Sequence, residues 1–137
     1  MRAIALNLIK KHEGLRLRPY FDSLGHVTIG YGRNLQERGI SEAEAASMLD
    51  SDIDNCIEEL KNTYDFWELL NEVRQAVLVD MCYNLGIKRL GQFKRMEEAI
   101  RLRTWSKASF EMLNSVWARQ VGGRAKELAL LMKTGGL

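Results

Sequence analysis

Between Gly14 and Gly32 the repeat of apolar side chains changes, and that change confines the chain to a mixed fold. Before it, Ile4, Ala5, Leu8 and Ile9 recur at helical spacing, which predicts a helix over 3–12 with one buried face. Gly14 is suited to end that helix in a left-handed conformation. Within the break, Leu15, Leu17 and Pro19 alternate with Arg16, Arg18 and Tyr20. Asp22-Ser23-Leu24-Gly25-His26 is rich in turn formers, and 27–31 is strand-like. The expectation is a small β-hairpin, with a third short strand near 33–35.

After the break the pattern is helical. Ser41 followed by Glu44 is a capping-box signature, opening a helix that runs to residue 60. Asn71 can cap a second long helix, expected to be central, in which Val73, Ala76, Val77, Val79, Asp80 and Met81 form an almost continuously apolar surface ending at Gly86. Shorter helices are expected at 93–102, 105–113 and 115–119. A last one opens after Gly122-Gly123 and carries Leu128, Leu131 and Met132. The predicted fold class is α+β: one domain over 1–137, with a small β lobe at 13–40, a connecting helix at 41–60, and a helical lobe made of 61–137 together with 1–12. A polymeric substrate is expected in the cleft between two such lobes.

Length and charge narrow the function classes. A chain of 137 residues has room for one core, since domains run to ~100–200 residues. A net charge of +2 is too weak to indicate nucleic acid. It is compatible with an anionic polymer without selecting one. No apolar run approaches the ~18–20 residues of a membrane span. The opening MRAIALNLIKKHEG is interrupted by Asn7, ends in Lys10-Lys11 and lacks a small-residue cleavage site, so it reads as a mature helix and not as an export signal. Cys56 and Cys82 lack metal-ligand spacing and are expected to be two buried thiols, with a disulfide open only if their helices meet. Neither a metal nor a cofactor is called for.

The break also holds the chemistry. Eight residues separate Glu13 from Asp22, and five separate Asp22 from Thr28. Splitting a glycosidic bond with water requires one protonated carboxyl group, one ionised carboxylate and a means of holding the water. Glu13, at a helix C-terminus, faces the negative end of the dipole, which favours its neutral form, and partial burial in a cleft would act the same way. Asp22, in a turn, is expected to be solvated and ionised. Thr28, on the following strand, can hold water by its hydroxyl. Singly, each has a plainer role: a solvated helix end, a turn former, a β-branched strand residue. Their combination is what points to hydrolysis.

The stretch from Glu13 to Gly32 resembles the active-site signature of glycoside hydrolase family 24, the phage-type lysozymes. The likeness includes EGLRL, Tyr20, Asp22, Gly25 and Thr28-Ile29-Gly30-Tyr31-Gly32. It continues through Arg74-Gln75-Ala76, Met81 to Gly86, Gln92-Phe93, Trp105, Ser115 to Gln120 and Gly123-Arg124-Ala125. The resemblance implies a small β lobe joined by a long helix to a larger helical lobe. It also implies hydrolysis of the β-1,4 bond between N-acetylmuramic acid and N-acetylglucosamine of peptidoglycan, with inversion. Glu13 would be the general acid, Asp22 would position or deprotonate water, and Thr28 would help hold it. Arg124 would lie close to Glu13, where a cation opposes the dipole and burial effects; its plainer reading is an exposed residue at a helix start. Tyr83, Asn84 and Gln120 match cleft-facing positions, although Tyr83 and Asn84 equally suit the end of a buried helix, and Asn34 joins them as a supporting residue. Trp105 and Trp117 are assigned to the core.

The segment 33–41 is short for this family, so a minimal β lobe and a more open cleft are expected. Arg33 stands where a relative has histidine, either paired with Asp50, Asp52 or Asp54 or exposed. The resemblance further implies a monomer with no nucleic-acid partner and no stable membrane insertion. Such a chain would wait in the host cytoplasm for a separate holin before acting on the wall in the periplasm. Two alternatives use the same fold: a lytic transglycosylase, which needs no water-holding pair, and a non-catalytic wall-binding or virion module.

Overall fold

The computed structural model describes all 137 residues. The chain divides into two compact units, Met1–Met48 and Leu49–Leu137.

In the first unit, helix α1 (Arg2–Glu13) stops at Gly14, whose φ of 69° places it in the region that glycine tolerates best. Strands β1 (Arg16–Phe21), β2 (Val27–Gly30) and β3 (Arg33–Asn34) form an antiparallel sheet in that order. Tyr20 pairs with Thr28 and Phe21 with Val27, but the register slips between Arg16 and Tyr20. Pro19 lies in the slipped stretch and has no N–H to give the ladder. Helix α2 (Leu35–Arg38) follows at once, and α3 (Glu42–Thr63) begins after Gly39.

The predicted capping box is complete. Ser41 Oγ accepts the Glu44 N–H at 3.1 Å, and the Glu44 carboxylate accepts the Ser41 N–H at 2.8 Å. The same carboxylate takes Arg33 Nη1 at 2.6 Å. The partner of Arg33 is therefore Glu44, not Asp50, Asp52 or Asp54. The turn at Gly39, whose carbonyl also faces Arg33 Nη1 at 3.5 Å, returns the start of α3 to β3 and brings Glu44 within reach.

One further expectation is corrected here. Helix α1 has no buried face: none of its residues is buried, and Ile4 is 66% exposed. Within 1–48 only Thr28 is buried, because a body this small encloses almost no core. Residues 1–12 are part of the first unit.

The second unit carries the core. After α3 and a 3₁₀ turn at Trp67–Leu69 come α4 (Glu72–Leu85), α5 (Ile87–Leu90), α6 (Lys94–Arg101), α7 (Trp105–Leu113), α8 (Val116–Val121) and α9 (Gly123–Thr134). Asn71 Oδ1 accepts the Arg74 N–H at 2.9 Å and caps α4 as predicted, and Gly86 ends it at φ 83°. The apolar surface of α4 is narrower than expected: Val77, Leu78, Met81 and Cys82 are buried, while Ala76 is exposed. Leu60, Leu90, Ile100, Met96, Met112 and Met132 complete the interior, and fully burying such a side chain contributes roughly 1.5–3 kcal/mol. Ala108, Ala125 and Ala129 are small enough to let α7 and α9 pack closely. Cys56 and Cys82 are both buried and unbridged, and burial, with the neighbouring Cys56, pushes the Cys82 thiol up to about 12. Trp117 is in the core as assigned, whereas Trp105 is only half-buried, its ring stacked under the Arg74 guanidinium at 3.8 Å.

The Arg33 hydrogen bond, followed by the Ser41 N–H, lowers the Glu44 carboxyl from its ordinary 4.5 to about 2. A depressed carboxylate contributes stability that is present above 4.5 and lost as pH falls towards 2. Wild type and Glu44→Gln should therefore differ in melting temperature at pH 7, with wild type higher. The two curves should converge between 4.5 and 2. Parallel curves across that range would contradict this role for Glu44.

Candidate active site

Three carboxylate and hydroxyl side chains of the first unit were singled out by sequence, and local geometry holds each differently. Asp22 opens the β1–β2 turn. Its N–H donates to the His26 carbonyl at 2.9 Å, and its carbonyl accepts the Gly25 N–H at 3.0 Å. Gly25 takes φ 82° to make the turn. Asp22 Oδ1 then accepts two main-chain donors, Leu24 N–H at 2.9 Å and His26 N–H at 2.8 Å. The His26 N–H is the chief cause of an Asp22 pKa below the ordinary 3.8. Two amides, and not solvation alone, thus favour the ionised form of Asp22. Its other oxygen, Oδ2, faces His26 Nδ1 at 3.5 Å.

Thr28 is 3% exposed, and its hydroxyl donates to the same His26 carbonyl at 2.9 Å. With that proton committed, the oxygen keeps lone pairs able to accept. Asp22 and Thr28 are therefore brought together through the main chain of His26, a residue that sequence reading passed over as a turn member.

Glu13 is the last residue of α1 and is exposed, so the partial burial expected for it is absent. Lys10, Lys11 and His12 surround it in the final turn, a favourable place for cations. Its carboxyl group lies against Gly32. A Cβ at Gly32 would stand 2.7 Å from Glu13 Cδ and closer still to Oε2. Lys10 Nζ sits 5.4 Å from the centre of the Tyr31 ring. The end of α1 thus packs on the Gly30-Tyr31-Gly32 turn, which carries Thr28 on its incoming strand. Asn34 is engaged locally, its side-chain oxygen accepting the Glu37 N–H at 3.0 Å as the cap of α2.

The remaining candidates lie in the second unit. Arg124, near the start of α9, gives Nε and Nη2 to one oxygen of Asp80 on α4, at 2.8 and 2.7 Å. Asp80, counted by sequence within an apolar surface, is the partner that offsets a cation at a helix start. No local signal reveals a pairing 44 residues apart. Arg124, Asp80 and Tyr83 line an apolar hollow of about 580 Å³ with Ile53, Trp67 and Val79. Gln120 lines a different groove, of about 600 Å³, with Trp117, Arg89 and Arg95. Asn84 uses its side-chain oxygen to accept Trp117 Nε1 at 2.8 Å. Tyr83 and Gln120 are therefore not drawn to one pocket, and Asn84 supports the core tryptophan.

Gly30 and Gly32 share the same positive φ, 71° and 72°, but Gly30 has open space where a Cβ would go. An alanine at either position should cost about 1 kcal/mol of backbone strain. Gly32→Ala should cost more than Gly30→Ala in urea unfolding and should alone shift the Glu13 carboxyl ¹³C resonance. Equal effects from both variants would remove the contact between Gly32 and Glu13 from the account.

A family model described as phage lysozyme matches residues 10–133. The chain is 25% identical over 158 residues to the pre-baseplate central spike protein Gp5 of Enterobacteria phage T4, covering 95% of this chain and 28% of that protein. It is 24% identical over 160 residues to the probable T4-type lysozyme 2 of Dictyostelium discoideum, covering 96% of this chain and 94% of that one. The probable T4-type lysozyme 1 of the same organism is 23% identical over equal shares. The chain thus spans little more than a quarter of the spike protein but matches nearly the full length of the Dictyostelium proteins. These alignments run longer than the chain's own 137 residues, so the relatives carry residues that it lacks. The family match takes in Glu13, Asp22, Thr28 and Arg124 in one run, and the chain belongs to the phage lysozyme family.

Proposed function

We propose that the chain is a muramidase that hydrolyses the β-1,4 bond between N-acetylmuramic acid and N-acetylglucosamine in peptidoglycan. The observation that carries this reading is the shared anchoring of Asp22 and Thr28 on His26. Asp22 Oδ1 is filled by two amides, so Oδ2 is the oxygen left to accept from a water. Thr28 Oγ1 has given its proton away and also accepts. A water donating one hydrogen to each keeps its own lone pairs for the sugar carbon. Asp22 takes a proton as that carbon–oxygen bond forms, and Glu13 gives its proton to the leaving glycosidic oxygen as the old bond breaks. Attack by water in place of an enzyme carboxylate implies inversion at the sugar carbon.

The biological setting proposed is lysis of a bacterial host by a monomer that reaches the wall after a separate holin has opened the inner membrane. The likeness to part of a spike protein favours a second setting, as the wall-cutting part of a virion, with the same chemistry.

Glu13→Gln should remove at least ~10²-fold of the activity on purified peptidoglycan, the low end of what a general acid contributes, while its circular dichroism stays that of the wild type. Near wild-type clearing of turbidity by this variant would sink the role of Glu13. Because Asp22 is held below 3.8, its loss of charge should limit activity only on the acid side of that value.

A further inference from the structure

His26 makes more contacts to the proposed water-holding pair than any role as a turn residue requires. Its N–H donates to Asp22 Oδ1 at 2.8 Å, and its carbonyl accepts both the Asp22 N–H and the Thr28 hydroxyl, each at 2.9 Å. Its imidazole stands between two carboxylates. Nδ1 is 3.5 Å from Asp22 Oδ2, and Nε2 is 3.4 Å from Glu37 Oε1. Asp22 comes from the β1–β2 turn and Glu37 from α2, which packs on β2. The same helix contributes the neutral Gln36, whose Oε1 faces the Val27 N–H at 3.5 Å. The ring is part-buried, 26% exposed on its side chain, and Asp22 is similarly shielded at 31%.

We propose that His26 is the positioning residue of this active site, its imidazole holding the free oxygen of Asp22 in place while tying the turn to Glu37 on α2. The inference rests on the muramidase reading for its catalytic consequence, and on geometry alone for the link between His26 and Asp22.

The two ring states differ in what they can hold. The imidazolium has a donor on each nitrogen and faces both carboxylates with favourable charge. The neutral ring has one donor, so it gives up either Asp22 or Glu37 and presents a lone pair to the one it loses. Histidine is the side-chain type whose ordinary charge change falls between roughly pH 5 and 8. The orientation of Asp22 Oδ2, and through it the placing of the water, therefore depends on the state of His26. The backbone links to Asp22 and Thr28 persist in both states. Losing the imidazole contact should thus weaken catalysis without collapsing the turn. Since the residue acts through Asp22 and touches no reacting atom, the effect belongs in kcat and not in KM.

Two measurements test this. In the wild type, the Asp22 carboxyl ¹³C resonance followed by NMR should show a second inflection that coincides with titration of the His26 ring. In His26→Asn, whose amide places a non-titrating donor about where Nδ1 stands, that inflection should vanish. An Asp22 resonance in the wild type that ignores His26 would overturn the proposal, and this needs no enzymatic activity and no variant. On peptidoglycan, the ratio of wild-type to His26→Asn kcat should fall about two- to fivefold between roughly pH 5 and 8, the span of a part-exposed ion pair, with KM unchanged. A ratio constant with pH, or a change confined to KM, would also overturn it. The two readings fail separately: an inactive wild-type protein with a coupled Asp22 resonance sinks the muramidase reading and leaves His26 tied to Asp22.

Discussion

The carboxylate of Asp22 closes the turn on which the rest of the first unit depends. Two main-chain amides point at one of its oxygens, and the turn they define sets the Tyr20–Thr28 register of the hairpin. That closure matters in so small a body, because no interior beyond Thr28 exists to fix the strands. Hydrogen bonding, not burial, therefore organises this part of the chain. It has a chemical consequence: the same amides that shape the turn hold the carboxylate ionised.

The second constraint is steric. The turn between β2 and β3 uses glycine on both sides of Tyr31, and at Gly32 the absence of a side chain is what leaves room for Glu13. The catalytic candidates are thus joined by two short links, one through His26 and one through Gly32, within a few dozen residues of sequence. The second unit is built on different principles. Its helices are held by buried Leu, Met and Ala side chains, and buried polar groups are paired across it: Tyr64 donates to Glu97 at 3.0 Å, and Trp117 to Asn84.

Much of this was legible because it is local. The Ser41–Glu44 box, the Asn71 cap and the Gly14 and Gly86 stops are each decided within a few residues, and each sits where expected. The hairpin and the ionised Asp22 follow from the turn composition. The four-residue helices α2 and α5 were missed because a single turn has no periodicity to detect. Asn34 could have been found: Asn34 followed by Glu37 has the same spacing as Ser41 followed by Glu44, and it caps α2. The Arg33–Glu44 and Arg124–Asp80 pairs were not visible, since charge pairing across loops and between distant helices leaves no spacing rule. The exposure of α1 was missed for a different reason. An apolar stripe says that a face can be buried, not that its own unit has the volume to bury it.

The central claim is that Asp22 and Thr28 direct a water, so that the bond is cut by hydrolysis. Mass spectrometry of the muropeptides released from purified peptidoglycan by the wild-type protein tests it most directly. The account predicts fragments ending in reducing N-acetylmuramic acid that have gained one water. Fragments ending in 1,6-anhydro-N-acetylmuramic acid would contradict it, because that product forms without any water for the pair to hold.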